Sequence, residues 1–429
     1  MEFIKELFSK HASMKLSRRA FIGTSLLTGL ISACSRNGRT PARTISADPD
    51  EIMSNLNDNI YTHLLGVQPH LPTHDHITRY GGSRMPTEVI DAMIKANEYF
   101  VDMDELTIAA GKRLADVVHA EAALVTCGAF SGLVLGAAAC LTGSDEEKMR
   151  ALPHPTWEKR QCLTQKAHTF FYDRAYRAAG TDLVVVETRE EFANTISDKT
   201  AMLACLASVE HEKQDDPTAM MPDEFVDLGH KAGVPVLIDS ASELPPAENL
   251  TRYTEMGGDL VVISGGKGLR GPQSTGILAG RADLIEAARL QAAPNGHLGR
   301  GMKIGKEEII GFIAALNRYM ELDHEAIAQT WMEKAEYIAD QLKDVPGLDA
   351  KSGANPRGVA HVALNWDENI IPMTKEEMRE EIRTGSPRMA MSTLWGGNKL
   401  GIRCMRDGEE VLVARRLREF FLSKSAKNA

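Results

Sequence analysis

Six short apolar runs, separated by stretches of helical length, constrain this chain more than any other feature. They are Ala122-Ala-Leu-Val-Thr126, Leu183-Val-Val-Val-Glu187, Ala201–Ala207, Val234-Pro-Val-Leu-Ile-Asp239, Leu260-Val-Val-Ile-Ser264 and Thr275-Gly-Ile-Leu-Ala279. A strand that is apolar at successive positions must be buried on both faces, which requires helices on both sides of its sheet. The spacing predicts a mostly parallel sheet in a three-layer α/β/α domain whose last β/α block ends near Arg289. Beyond it, Lys306–Leu322 reads as a long helix, with Glu307 and Glu308 in its first turn and Ile309, Ile310 and Ile313 on its buried face. A second helix is expected from Ala326 to Leu342. Residues 359–364, 388–391 and 400–405 then read as strands, and 375–383 and 409–423 as helices, which makes a small C-terminal α+β domain. The expected plan is a leader over 1–34, a tether over 35–50, a mainly helical segment over 51–110, the large domain over 111–325 and the small domain over 326–429.

The 429 residues are 43% hydrophobic and 25% charged, an ordinary globular balance that excludes a disordered or fibrous chain. A formal charge of −10 gives no basic excess for a phosphate backbone, so nucleic acid is not an expected partner. The cysteines at 34, 127, 140, 162, 205 and 404 include no CxxC pair and no Cys/His cluster of zinc spacing, so no metal is expected.

The leader has the character of an export address. Ser17-Arg18-Arg19-Ala-Phe21 precedes an apolar run from Ala20 to Leu30, which is closed by Ile31-Ser-Ala-Cys34. The arginine pair resembles a twin-arginine signal, and the final four residues resemble a lipobox whose cysteine becomes the lipidated first residue. The apolar run is short for a membrane span. A frayed amphipathic helix with two chance arginines is the plainer alternative, and both Met1 and Met14 can serve as the start. The expectation is a folded, exported lipoprotein of the periplasm or cell envelope, held to the membrane only at Cys34.

The chemistry concentrates at strand ends, where open α/β sheets bind their ligands. Lys267 follows the run Leu260–Ser264 in Ser264-Gly-Gly-Lys267-Gly-Leu-Arg270-Gly-Pro. Glycines let backbone pass close to a planar ligand, and a desolvated lysine can form a Schiff base with pyridoxal phosphate. Ser264 is placed to bond a phosphate. By itself the segment also reads as a glycine-rich turn with a solvated lysine. Asp239 ends its own apolar run, and a carboxylate there can pair with a protonated pyridine nitrogen; a helix N-cap is the alternative. Thr126-Cys-Gly128-Ala129-Phe-Ser131-Gly joins a strand to a helix, whose free N–H groups suit a phosphate. The order phosphate loop, aspartate, lysine is that of a fold-type I pyridoxal-phosphate enzyme.

The segment Leu260–Ser274 resembles the cofactor-lysine segment of bacterial selenocysteine synthase and its relatives, which include D-glucosaminate-6-phosphate ammonia-lyase. Gly81-Gly-Ser-Arg84-Met-Pro86 with Phe100–Leu106, Ala122–Ala129 and Gly301–Glu308 extend the resemblance over about residues 60–420. It implies Lys267 as the Schiff-base lysine, Asp239 as the pyridine partner and His168 at the ring, with Thr169 where the family often has arginine. It also implies a homodimer or higher homo-oligomer in which residues around Arg84 complete the partner's site. Arginine forks commonly clamp substrate carboxylates. Arg84 and Arg388 are the candidates for a small amino-bearing substrate, and Arg270 for a phosphate; each also reads as a solvated surface arginine. The tRNA-gripping region of selenocysteine synthase has no counterpart here, since that stretch holds the leader and tether. The expected activity is proton removal at Cα followed by β-elimination, an ammonia-lyase type of reaction. Selenium transfer, transamination or racemisation, and a catalytically inactive binding lipoprotein are the alternatives.

Overall fold

A computed structural model describes residues 48–393 and 395–425. The leader, Cys34 and nearly all of the expected tether lie outside the described residues. The expected tether ends sooner than the composition indicates, because a helix capped by Asp48 begins at Pro49. Among the described residues, no helix is long and apolar enough to cross a membrane.

Among the described residues, twelve strands run in chain order. They are β1 Leu71–Thr73, β2 Ala122–Thr126, β3 Gln161–Gln165, β4 Asp182–Val186, β5 Thr200–Leu206, β6 Val236–Asp239, β7 Leu260–Ser264, β8 Gly276–Gly280, β9 Leu348–Ala354, β10 Ala360–Trp366, β11 Met389–Met391 and β12 Lys399–Gly401. Seven make the central sheet in the order β2-β8-β7-β6-β5-β3-β4. All pairings in it are parallel except those of β8, which runs against both neighbours. Helices cover both faces, and this is the architecture of a fold-type I pyridoxal-phosphate enzyme.

The two faces bury different apolar sets. One packs Leu114, Phe192, Phe225 and Phe312 against Leu203, Val236 and Ile277. The other packs the helix Gly128–Thr142 and the helix Ala282–Gln291 against Leu237, Leu260 and Leu278. Gly136 shows how close that approach is. A Cβ there would lie 2.7 Å from Leu237 Cδ1 and 3.3 Å from the δ-carbons of Leu260 and Leu278. Protein interiors are close-packed, so a single methyl at that position forces the Leu237 side chain, and to a lesser degree those of Leu260 and Leu278, to shift.

The small domain is built on β12-β10-β9 and the helices His324–Leu342, Lys375–Thr384 and Glu409–Ser425. It recruits the other end of the chain. β1 pairs in parallel with β11, and Leu71 enters the small-domain core beside Met389 and Phe421. The segment over 51–110 is therefore not one helical unit. Its first part belongs to the small domain. The helix Met103–Val118, which follows it, buries Leu114 and Val118 against the central sheet.

Candidate active site

Strand register gathers the site. Asp239 lies beside Leu206 on β5 and Val262 on β7, and Ser264 ends β7 two residues further on. Ser264 pairs with Gly276, which pairs in turn with Thr126 at the end of β2. With neighbouring strands about 4.8 Å apart, these residues converge on the carboxyl ends of the parallel strands.

The helix Gly128–Thr142 starts directly after β2. Its N-cap, Cys127, offers no side-chain acceptor to the first turn. Thr126 Oγ1 donates to the Gly128 carbonyl at 2.9 Å, and Ser131 Oγ donates to the Cys127 carbonyl at 2.8 Å. The Ser131 hydroxyl proton is thus engaged within the turn, and what the loop presents are backbone N–H groups. Gly128 has φ +78°, and the position its Cβ would take is open space. The Ser264 hydroxyl has no partner among the described residues.

The glycines around Lys267 serve a purpose different from the expected one. A Cβ on Gly265 would strike Thr275 and Phe312, one on Gly266 would strike Gln273, and one on Gly268 would strike Leu244. They admit the protein's own backbone and side chains rather than clearing room for a ligand. Lys267 itself is half-buried, and its Nζ makes no hydrogen bond or ion pair with any described residue. Burial holds the amine below its ordinary range, opposed by Asp239 and reinforced by Arg403. Burial pushes the Asp239 carboxyl up, opposed by the Ala241 amide at 3.0 Å and by the charge of Lys267. The two groups therefore sense one another across β6 and β7.

His168 has a different environment from the one the resemblance implies. Its Nδ1 accepts from the Leu206 amide at 3.0 Å, and its Nε2 donates to the Met220 carbonyl at 2.8 Å. The ring sits edge-on to Phe225, 4.7 Å between centroids. Burial lowers its pKa to about 4, against the two backbone bonds. It stays neutral and splices the end of β5 to the loop at Met220, with neither nitrogen left for a ligand.

The arginine expectations need correction. Arg84 is held by its own chain: its guanidinium binds Glu409 in a fork, at 2.9 and 2.6 Å, and the Cys404 carbonyl at 2.8 Å. Ser83 Oγ also donates to the Gly266 carbonyl at 2.8 Å. The Arg84 guanidinium and the Ser83 hydroxyl are thus engaged by the chain's own small domain and lysine loop, which leaves the Arg84 fork filled rather than free for a substrate carboxylate. Arg388 is exposed beside His70, at the rim. Arg270 is half-buried in the left-handed region at φ +57°, and its Nε donates to the Arg84 carbonyl at 3.2 Å.

Sequence reasoning missed the inner cations. Arg403 is buried, bonds Asp75 through Nε and reaches the Leu244 carbonyl at 3.2 Å. Its charge acts on Lys267. Arg357, in the β9–β10 turn, bonds the Ser242 carbonyl and lies 3.9 Å from Glu243. Its Nε is enclosed without a partner. Burial opposes ionisation of Glu243, but the 2.9 Å bond from His211 and the charge of Arg357 prevail and hold its carboxyl below the ordinary range. The available signal was an arginine interrupting the strand-like stretch Leu400-Gly-Ile-Arg403-Cys.

Pyridoxal phosphate fits these residues. An uncapped helix N-terminus faces open space, an unpartnered amine follows β7, and an enclosed carboxylate at the end of β6 acts on that amine. Comparisons with known proteins agree. Residues 167–370 match the family Aminotransferase class-V. The chain is 32% identical over 378 residues to 5'-C-glycyluridine monooxygenase-decarboxylase of a Streptomyces species, covering 84% of this chain and 92% of that one. It is 25% identical to D-glucosaminate-6-phosphate ammonia lyase of Salmonella typhimurium, over 85% of this chain and 98% of the relative. A solved structure of D-glucosaminate-6-phosphate ammonia-lyase superposes with a TM-score of 0.73 at 24% identity, covering 86% of this chain and 99% of that one. L-seryl-tRNA(Sec) selenium transferase of Serratia proteamaculans is 35% identical over 159 residues, 34% of this chain and 33% of that one.

Proposed function

This chain belongs to the family of fold-type I pyridoxal-phosphate enzymes that includes D-glucosaminate-6-phosphate ammonia lyase and L-seryl-tRNA(Sec) selenium transferase, and on that premise we propose that it is a β-eliminating lyase. The substrate is a small amino acid or amino-sugar acid, and the products are ammonia and an oxo acid. The observation that carries this reading is Lys267 Nζ, unpartnered and depressed by burial, with Asp239 acting on it from the neighbouring strand end.

When bound, pyridoxal phosphate supplies an electron sink for the carbanion at the substrate Cα. The chain's residues do the rest. The first N–H groups of the helix at Gly128 and Ala129, with the Ser264 hydroxyl, would hold its phosphate. Asp239 would keep its ring nitrogen protonated through a charge-assisted bond. Lys267 Nζ takes the Cα proton, a task that its lowered pKa favours. Arg357, whose Nε keeps no protein partner, would orient the substrate carboxylate, with the charge of Arg403 beside it. The segment from Thr73 to Arg84 excludes water above the lysine loop.

The test is release of ammonia and an oxo acid by the cofactor-loaded protein from D- and L-β-hydroxy amino acids and from 2-amino-2-deoxyaldonates. Lys267→Ala should abolish it, and borohydride reduction should place the cofactor adduct on Lys267. Oxygen consumption with loss of carbon dioxide and no ammonia would replace this reading with one nearer the Streptomyces relative.

We further propose that the enzyme is an exported lipoprotein and a homo-oligomer. Arg18-Arg19 and Cys34 support the first. Fully exposed Phe100, with Tyr99, Ile94 and Ile108 also exposed on the same stretch of chain, supports the second. Cell fractionation of Arg18→Lys/Arg19→Lys and Cys34→Ala variants, and the mass of the protein in solution, check the two.

A further inference from the structure

The segment Thr73-His74-Asp75-His76 buries four polar residues in succession, with His76 only 7% exposed. Three of them are satisfied by protein. Thr73 Oγ1 donates to the Ala390 carbonyl at 2.8 Å, His74 Nδ1 meets the Asp75 carbonyl, and Asp75 accepts from Arg403 and from the His76 amide. His76 is the exception. Its Nδ1 is enclosed without a partner, and no described residue hydrogen-bonds either ring nitrogen. The closest carboxylate oxygen, Asp75 Oδ1, is 4.0 Å away.

Packing alone does not account for such a ring. An imidazole whose Nδ1 is enclosed without a partner loses that nitrogen's water bond for nothing, and a phenyl ring would fill the same space without that loss. The backbone is also strained to place it, because Asp75 has φ +62°, a left-handed conformation unusual for a side-chain-bearing residue. The clamp from Arg403 holds that conformation. Lys267, Arg270, Arg403 and His74 all act on His76, and with its burial they keep the ring neutral.

We propose that His76 is a further catalytic residue, the carrier that delivers a proton to the leaving oxygen on the carbon beside the amine-bearing one. The proposal rests on the elimination reading given above. Lys267 Nζ draws the proton from Cα, and the C–H electron pair becomes the new carbon–carbon double bond. Neutral His76 takes that proton from the Lys267 ammonium and passes one to the β-oxygen, while the carbon–oxygen bond breaks and its pair leaves with the oxygen. Water departs, Lys267 and His76 return to their starting protonation, and nothing is oxidised or reduced. The substrate class is therefore a β-hydroxy amino acid or hydroxylated amino-sugar acid.

A metal site is the other reading of this corner, since single ligand atoms of Asp75, His76 and Cys404 lie within 4.8 Å of one another. The charges argue against it. Asp75 is already paired with Arg403, burial pushes the Cys404 thiol up to about 12, and Lys267 and Arg270 add positive charge.

The test uses cofactor-loaded wild type and the variants His76→Phe and His76→Asn, with serine and β-chloroalanine as probes. Chloride leaves without a proton and a hydroxyl does not. His76→Phe should lower elimination from serine about a hundredfold and leave elimination from β-chloroalanine and solvent-deuterium exchange at Cα within about threefold. Cofactor affinity and the melting temperature of the cofactor-free variant should not fall. Equal losses on both probes, a lower melting temperature in both variants, or weakened cofactor binding would overturn the role of His76 while leaving the elimination reading intact. Stoichiometric zinc binding by wild type that is lost in both variants would assign the corner to a metal instead. A wild type inactive on β-chloroalanine would refute the elimination reading, and the proposal with it.

Discussion

Asp239→Asn isolates a single charge. Among the described residues the side chain accepts one hydrogen bond, from the Ala241 amide at 3.0 Å, and the asparagine Oδ1 can accept the same bond. The main-chain carbonyl of Asp239, which accepts from Ala207, is untouched. What disappears is the negative charge that would face the positive ring nitrogen. Such a charge-assisted contact contributes about 1.5–3 kcal/mol in the ground state, or roughly a 10- to 150-fold effect. A preorganised electrostatic partner typically contributes about a hundredfold to a thousandfold to the rate. The expected loss in kcat is therefore about 10² to 10³, with the fold retained.

The cofactor-free protein should show the opposite sign. Burial raises the Asp239 carboxyl above its ordinary 3.8. A group whose folded pKa is raised stabilises below the unfolded value, and that contribution is lost as pH rises through the folded value. Without cofactor, Asp239→Asn should thus unfold at higher denaturant than wild type at neutral pH, and the advantage should shrink as pH falls toward 3.8. Losing the aspartate also removes the influence that raises Lys267, so the lysine amine should titrate lower still. Turnover and denaturant midpoints across pH read both effects. Near-wild-type turnover would reduce Asp239 to a turn residue, and a destabilised cofactor-free variant would refute the burial argument.

Arg403→Met should cost about 3–5 kcal/mol of stability, because it strands the buried Asp75 carboxylate; the Asp75→Asn/Arg403→Met pair should recover most of that in urea unfolding. Arg84→Ala should cost about 1–2 kcal/mol, a modest figure because the arginine side chain is 33% exposed. Its kcat should stay within about threefold of wild type, which separates a structural clamp from a substrate ligand. His168, with a folded pKa of about 4 against 6.5 unfolded, should withdraw stability as pH falls through that window, up to about 3 kcal/mol at its acid end; the pH profile of His168→Asn should be flatter over the same range.

The buried strands of the central sheet were legible because their residues face apolar surroundings on both sides, so β2 and β7 fall where the runs predict. β3 escaped, since Gln161-Cys-Leu-Thr-Gln165 looks half polar. Its Gln165 is nevertheless buried, satisfied by the Glu187 and Thr218 carbonyls and the Met220 amide. No local pattern reveals partners that distant. β9 escaped for the opposite reason, as an edge strand with little apolar surface to hide. At the candidate site, Lys267 and Asp239 stand out in the sequence because a charged residue at or just past the end of an apolar run breaks a local rule. Arg84 looked like a ligand because it follows a glycine turn, yet its fork is filled by Glu409, 325 residues on. Arg403 matters through Asp75, 328 residues earlier, a relation that only the fold creates.

That long-range pairing sets how the site responds to movement. The segment carrying Asp75 and His76 is tied to the small domain by the β1–β11 ladder, by Arg403 and by the Arg84–Glu409 fork. It is tied to the large domain by Ser83 at Gly266 and by Gln273 at Thr78. Arg357 adds a second bridge, from the β9–β10 turn to Ser242, three residues past Asp239. Any shift of the small domain therefore moves the two inner arginines and His76 together, relative to Lys267 and Asp239, which the central sheet fixes. On the proposed reading, the large domain sets where the Cα proton is taken, and the position of the small domain sets whether the inner arginines and His76 stand beside that carbon. Closure of the two domains should thus be required for loss of the leaving group more strictly than for exchange of the Cα proton. The ratio of those two rates is the measure of how tightly the segment is held.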